Sequence, residues 1–246
     1  MVKSYVAMLR NRIRMALCPD EFGNIHSHLS TFNTVADFMR FMKWTEQPIM
    51  LQEHMEERGL ITDINDRRRI DAAIISIVSK NAHPTNCLEI GTSLGVSTAR
   101  MAVNAPQATI FTVNIPPEEY EDGGVYKTHR LEHNEIGSFY RQKKLDNIEQ
   151  IFANTATWQP DLPPIDVAFV DGSHDTEFVY SDTRKVLEIM QKGGFLLWHD
   201  FNPELQKRFE WIHSVMMGVE LLYRDGILKG DIYHIRNSWI CIKHIP

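Results

Sequence analysis

Up to about residue 80 the apolar side chains of this chain recur every three to four positions. Val2, Tyr5, Val6, Leu9, Ile13 and Leu17 fall on one helical face, and so do Val35, Phe38, Met39 and Met42 behind the capping pair Asn33-Thr34. A further helix from about Asp66 carries Ile70, Ala73, Ile74, Ile77 and Val78 and stops near His83-Pro84, where proline forbids continuation. Residues 1–80 therefore read as mostly helical. Beyond them the pattern changes to short apolar runs, which predict strands at about 86–90, 109–113, 148–152, 166–170 and 195–199. The clearest helix between them covers about 175–191 and ends at Lys192-Gly193-Gly194, a basic last turn followed by glycines suited to left-handed geometry. A helix near 203–217 precedes two runs, 219–225 and 238–245, that read as a closing strand pair. Strand and helix in alternation predict an α/β protein, a Rossmann-like, mostly parallel sheet of seven strands with helices on both faces and a closing antiparallel strand. That domain takes residues 66–246; residues 1–65 are expected to be a helical extension that caps a substrate or contacts a second copy.

Composition narrows the field. The chain has 246 residues, 43% of them hydrophobic, which suits one substantial core rather than two full domains. A formal net charge of −6 and a pI near 6.0 argue against nucleic acid or an anionic membrane as partner and favour a small molecule. Cys18, Cys87 and Cys241 are too few and too scattered for a disulfide framework or a CxxC metal site, and Lys3, Arg10, Arg12 and Arg14 interrupt the apolar N-terminus. A cytoplasmic protein, with a homo-oligomer possible, is the expectation. The three arginines read as a solvated helix face.

The chemistry concentrates at strand ends. Glu89-Ile90-Gly91-Thr92-Ser93-Leu94-Gly95-Val96-Ser97 runs from a strand through a glycine turn into a helix N-terminus, a place where backbone approaches a ligand closely. A dinucleotide site wants GxGxxG with an acid some 20 residues on, whereas this spacing is GxxxG and the acid precedes the turn. Glu89 would repel a pyrophosphate but suit the ammonium and sulfonium charges of S-adenosylmethionine. The same residues also read GxSxG, a nucleophile elbow that would make Ser93 the nucleophile of a serine hydrolase; a non-methylating nucleotide binder, or a plain tight turn, stays open on the loop alone. Two later strands end in Asp171-Gly172-Ser173-His174 and in His199-Asp200, gathering acids and histidines at the carboxyl edge, where open α/β sheets bind ligands.

Taken in order, LEIGTSLGVST, a strand ending in TVN, IFANTAT, DVAFVDGSHDTEFVYSD and KGGFLLWHDF resemble the successive motifs of class I S-adenosylmethionine-dependent methyltransferases. The similarity is closest to the small-molecule O-methyltransferase-like branch with its DGSH and GG-HD segments, and it covers about residues 66–245. The resemblance implies that Glu89, Gly91, Thr92, Ser93 and Gly95 hold the methionine moiety, with Asp171 beside it. It places Asn114, where an acid is usual, at the ribose, with Glu118 or Glu119 as substitutes, and Asn154 with Thr155 at the adenine. The polar stretch between strands two and three reads as a loop over the crevice, offering Tyr126, His129, His133, Tyr140 and Arg141 for recognition.

Methyl transfer is an in-line displacement in which a protein positions donor and acceptor and deprotonates the acceptor. For a hydroxyl acceptor, His174 or His199 can serve as base. Asp171, Asp200 and Asn202 can instead hold Mg²⁺ through oxygen ligands, although related catechol-type enzymes place the Asn directly after the Asp. A metal between Asp171 and Asp200 would relieve their repulsion.

Overall fold

The computed structural model describes residues 21–51, 67–120 and 130–246. The expected helix over 2–17 and the loop residues Tyr126 and His129 lie outside these. In chain order the elements are α1 (Gly23–His28), β1 (Leu29–Phe32), α2 (Val35–Met42), α3 (Arg67–Asn81), β2 (Asn86–Ile90), α4 (Val96–Asn104) and β3 (Thr109–Asn114). They continue with α5 (Ser138–Gln142), β4 (Ile148–Phe152), β5 (Ile165–Val170), α6 (Thr176–Ile189), β6 (Met190–Trp198), α7 (Glu210–Arg224), β7 (Ile232–Ile235) and β8 (Cys241–His244).

One eight-stranded sheet runs β1-β7-β8-β6-β5-β2-β3-β4. β8 pairs antiparallel with both β6 and β7, while the other pairings are parallel, so a single reversed strand closes a Rossmann-like sheet as expected. Chain order turns around between β2 and β5, and that switch point opens a crevice at the carboxyl ends of both. The central strands are apolar on both faces because helices cover both: one cluster gathers Leu88, Val113, Trp198 and Met216, and the other Ile74, Val78, Ile110 and Phe169.

Three expectations are corrected. Residues 219–225 form no strand; they are the end of α7, whose buried Val219 and Leu222 keep helical spacing, and the strand lies at β7 instead. The Gly193-Gly194 pair does not cap a helix, because α6 ends at Ile189 and the chain enters β6 through a register shift with Gly193 at φ 81°. An eighth strand, β1, comes from the segment read as helical and pairs with β7 from Leu29↔Ile232 to Phe32↔Ile235. The described part of residues 1–65 also shares the main core: Phe22 and Ile25 pack with the α7 side of the sheet, while Phe38 packs against the α3 side. Glu220 on α7 fixes α1 by accepting from the Asn24 side chain at 2.8 Å and the Ile25 amide at 3.0 Å.

Candidate functional site

β2 delivers the chain into the glycine turn at the switch point. Gly91 has φ 104°, and a Cβ there would lie 2.0 Å from the backbone oxygen of Asp171, so no side chain fits between the ends of β2 and β5. Gly95 has φ 82° and its Cβ position is 2.5 Å from the ring of Tyr140. Ser93, between them, also takes a left-handed φ of 49°. The turn is pinned to β3: Gly91 N–H donates to Val113 O at 2.8 Å and Ser93 N–H to Asn114 Oδ1 at 3.1 Å.

The methionine-side assignments meet a different arrangement. Glu89, expected to face a ligand ammonium, is fully buried and accepts from the hydroxyls of Ser97 at 2.5 Å, Thr112 at 2.6 Å and Thr98. Burial pushes its carboxyl up to about 7 against those three hydrogen bonds, with a small further push from Asp171. Glu89 thus ties the start of α4 to β3, and the Ser97 hydroxyl that donates to it is half-buried. Sequence reasoning passed over Ser97, although serine at the second position of the helix after such a turn was the available signal. Thr92 is buried as well, its hydroxyl 2.8 Å from that of Thr112.

The ribose and adenine assignments sit at the expected strand ends, with their side chains engaged locally. Asn114 accepts from Ser93 and donates from Nδ2 to Ile115 O at 2.9 Å. Asn154 Oδ1 accepts the Ala156 amide at 3.1 Å, and Thr155 donates to Asp182 at 3.3 Å. Of the loop residues, Tyr140 is buried against the glycine turn and donates to Gln150 at 3.0 Å. Arg141 donates to the backbone oxygens of Ile136 and Asn134, and exposed His133 meets Glu118 at 3.0 Å.

The two later strands do bring their polar ends together. His174 Nε2 lies 2.9 Å from Asp200 Oδ2, and His199 Nδ1 lies 3.1 Å from Asp171 Oδ1 and 3.3 Å from Asp200 Oδ2. His199 Nδ1 makes no well-directed hydrogen bond to either carboxylate, so charge rather than hydrogen-bond geometry holds it there. Burial opposes the charged form of both histidines. The Asp171 and Asp200 charges outweigh it and raise His199 well above the ordinary imidazole value; Asp200, by hydrogen bond and charge, raises His174. Burial likewise opposes ionisation of Asp200, but the two imidazoliums hold its carboxyl far below the usual range. His174 and His199 place ring nitrogens against these carboxylates, where positive charge on them offsets the repulsion expected between Asp171 and Asp200. Asp200 itself adopts φ 54°, a strained value for a non-glycine residue.

The side chain of Asn202, expected as a third oxygen ligand, is engaged in local hydrogen bonds. Its Oδ1 accepts the Glu204 and Leu205 amides at 2.9 and 3.0 Å and its Nδ2 donates to Ser238 O, which fixes the turn behind β6. Among the described residues, Asp171, His174 and Asp200 bring ligand atoms together, all within 4.8 Å of one another. Asp71, on α3, was not singled out from the sequence at all. It is buried, lies 3.5 Å from His199 Nε2 and accepts the Trp239 amide at 2.8 Å. Ser93, the hydrolase candidate, has its contacts with Asn114 and Gly137 through its backbone, whereas the histidines of the site are engaged with carboxylates.

Residues 88–201 match a protein family described as a methyltransferase domain, a span running from β2 through the glycine turn to the His199-Asp200 pair. No curated protein matches the chain. Among solved structures, a methyltransferase of Podospora anserina, PaMTH1, bound to SAH, is 12% identical with a TM-score of 0.54, covering 77% of this chain and 84% of that one. The O-methyltransferase TomG of Streptomyces achromogenes, in complex with SAM, is 12% identical with a TM-score of 0.51 over 85% and 86%. Cofactor-bound Rv0187 from MTB is 17% identical with a TM-score of 0.52 over 80% and 82%. These likenesses establish the fold. Among the described residues no helix is long and apolar enough to cross a membrane.

Proposed function

We propose that this chain, whose residues 88–201 carry a methyltransferase domain, is an S-adenosylmethionine-dependent methyltransferase that methylates a hydroxyl oxygen of a small molecule. The observation that carries the reading is the crevice itself. A glycine turn too tight for any Cβ lies against the Asp171 backbone, and an acid and histidine cluster follows on the next two strand ends. That cradle fits the cofactor. Gly91, Ser93 and Gly95 would hold its methionine part through the backbone and Ser97 through its hydroxyl, with Asp171 alongside, while Asn114 and the Asn154-Thr155 turn would border its ribose and adenine. Bound there, S-adenosylmethionine supplies an electrophilic methyl group. The residues of the chain position the acceptor and move its proton: His199, poised between Asp171 and Asp200, or His174 on Asp200, takes the hydroxyl proton once deprotonated.

A second reading has one specific observation behind it. Asp171, His174 and Asp200 converge closely enough to ligate a divalent cation, which would displace the proton of His174 and lower the pKa of an acceptor hydroxyl. With one nitrogen among the donors the set suits Mn²⁺ or Zn²⁺ better than the Mg²⁺ expected from oxygen ligands alone.

Calorimetric titration of the chain with S-adenosylhomocysteine tests the reading. Binding is expected, with no heat from NAD; binding of NAD and not S-adenosylhomocysteine would refute it.

A further inference from the structure

The described part of helix α3 begins with Arg67, Arg68 and Arg69. Arg67 is held in place. Its guanidinium lies 3.9 Å from the centroid of the Trp239 indole, and Nη1 reaches Asp71 Oδ2 at 3.4 Å, a long contact for a charged pair. Among the described residues Arg67 has no further hydrogen-bond partner, so no described residue engages the outer edge of its fork. Arg67 also lines a cleft of about 310 Å³ together with Asn202, Glu204, Leu205, Asn237 and Trp239, a size that suits a small ligand.

Asp71 connects this cleft to the acid and histidine cluster. The same Oδ2 atom lies 3.4 Å from Arg67 Nη1 and 3.5 Å from His199 Nε2, so the guanidinium and the imidazole are at most about 7 Å apart. That separation is within the length of a ligand of one ring.

We infer that the methyl acceptor is a small carboxylic acid, its carboxylate held by Arg67 over the Trp239 face and its hydroxyl directed to His199. The inference rests on the methyltransferase reading and adds the substrate class. The Arg67 guanidinium over the indole has N–H groups that can pair with a planar carboxylate, and Leu205 offers apolar contact to the body of the acceptor. A phosphate dianion is disfavoured, because Glu204 lines the same cleft and Asp71, Asp171 and Asp200 stand behind it. The Glu204 carboxylate is exposed and can turn to solvent when a monoanion enters.

The test uses the full chain loaded with S-adenosylhomocysteine and titrated with benzoate, its neutral analogue benzamide, and inorganic phosphate. Benzoate should bind at least tenfold more tightly than benzamide, the discrimination a charged hydrogen-bond pair provides. Arg67→Met should remove that preference, and Arg67→Lys should retain part of it, since an ammonium keeps the charge but not the fork. Equal binding of benzoate and benzamide, no binding of benzoate, or wild-type benzoate affinity in Arg67→Met would overturn the inference; tighter binding of phosphate would overturn the choice of carboxylate. S-adenosylhomocysteine affinity, measured separately in wild type and Arg67→Met, reports whether the variant is folded. Failure of wild type to bind it would refute the methyltransferase reading, while the benzoate comparison remains measurable on the chain alone.

Discussion

Glu89→Gln should flatten the pH dependence of folding stability. The Glu89 carboxyl is fully buried and titrates at about 7 in the fold, against 4.5 for the ordinary group, because burial outweighs its three hydroxyl donors. Between those values the native state holds a proton that the unfolded chain has lost, so ∂ΔG/∂pH is negative and stability falls as pH rises through the window. Integrated from pH 5 to pH 8, a shift of this size costs about 2.5 kcal/mol at roughly 1.36 kcal/mol per pH unit. Glutamine cannot ionise and loses at least one acceptor, a penalty that is the same at every pH. Relative to wild type the variant should therefore be weakest at pH 5 and gain about 2 to 3 kcal/mol by pH 8. Urea unfolding of both proteins at half-unit pH steps measures the difference, in which the contributions of Asp182, His199 and Asp200 cancel because both proteins carry them. A wild-type-minus-variant difference constant to within about 0.5 kcal/mol, near the error of such extrapolations, would show that Glu89 is ionised throughout and that its environment has been misread.

Gly91→Ala should destabilise the fold by at least 1 to 3 kcal/mol, the usual cost of a strained backbone position, and weaken S-adenosylhomocysteine binding, because its Cβ would collide with Asp171 O at 2.0 Å; unchanged melting and affinity would contradict this. Imidazole NMR should find His199 protonated well above pH 6.5 and lowered by Asp171→Asn, consistent with stability that His199 contributes below pH 6.5 and loses as pH rises through its folded value; a resonance titrating at 6.5 would remove the charge cluster. Asp200→Ala should cost about 3 to 5 kcal/mol in urea unfolding near neutral pH, since it leaves two half-buried imidazoles without their shared partner, and a loss under 1 kcal/mol would refute that coupling. If the cation reading holds, Mn²⁺ should bind with proton release, more tightly at pH 8 than at pH 6, and Asp171→Asn should abolish it; pH-independent binding that survives the substitution would place the metal elsewhere.

Local pattern carried most of the sheet. β2, β3, β4 and β5 are short apolar runs bounded by polar turns, and their period and punctuation sufficed to place them and the glycine turn between β2 and α4. The same reasoning put Asp171, His174, His199 and Asp200 around one crevice, because residues at the ends of neighbouring parallel strands must meet there. It failed at residues 219–225, where Val219 and Leu222 satisfy both a strand and a buried helix face, and at β1, whose four residues are too few to show a period.

Which polar group faces the crevice was decided only by tertiary packing. A sequence can place Glu89 at a strand end but cannot tell that the hydroxyls of Ser97, Thr98 and Thr112 converge on it and consume its lone pairs. Nor can it tell that Asn202 is spent on Ser238 and its own turn, 36 residues from that partner in the chain. Asp71 belongs to a helix that reads as plain scaffold, more than 120 residues from His199, and becomes part of the site because α3 packs across the sheet beside Trp239. Hydrophobic periodicity is a local property and is written along the chain. The protonation of His199 and the direction of each carboxylate are properties of charges and donors brought within about 3.5 Å from distant segments, and only the folded sheet determines those distances.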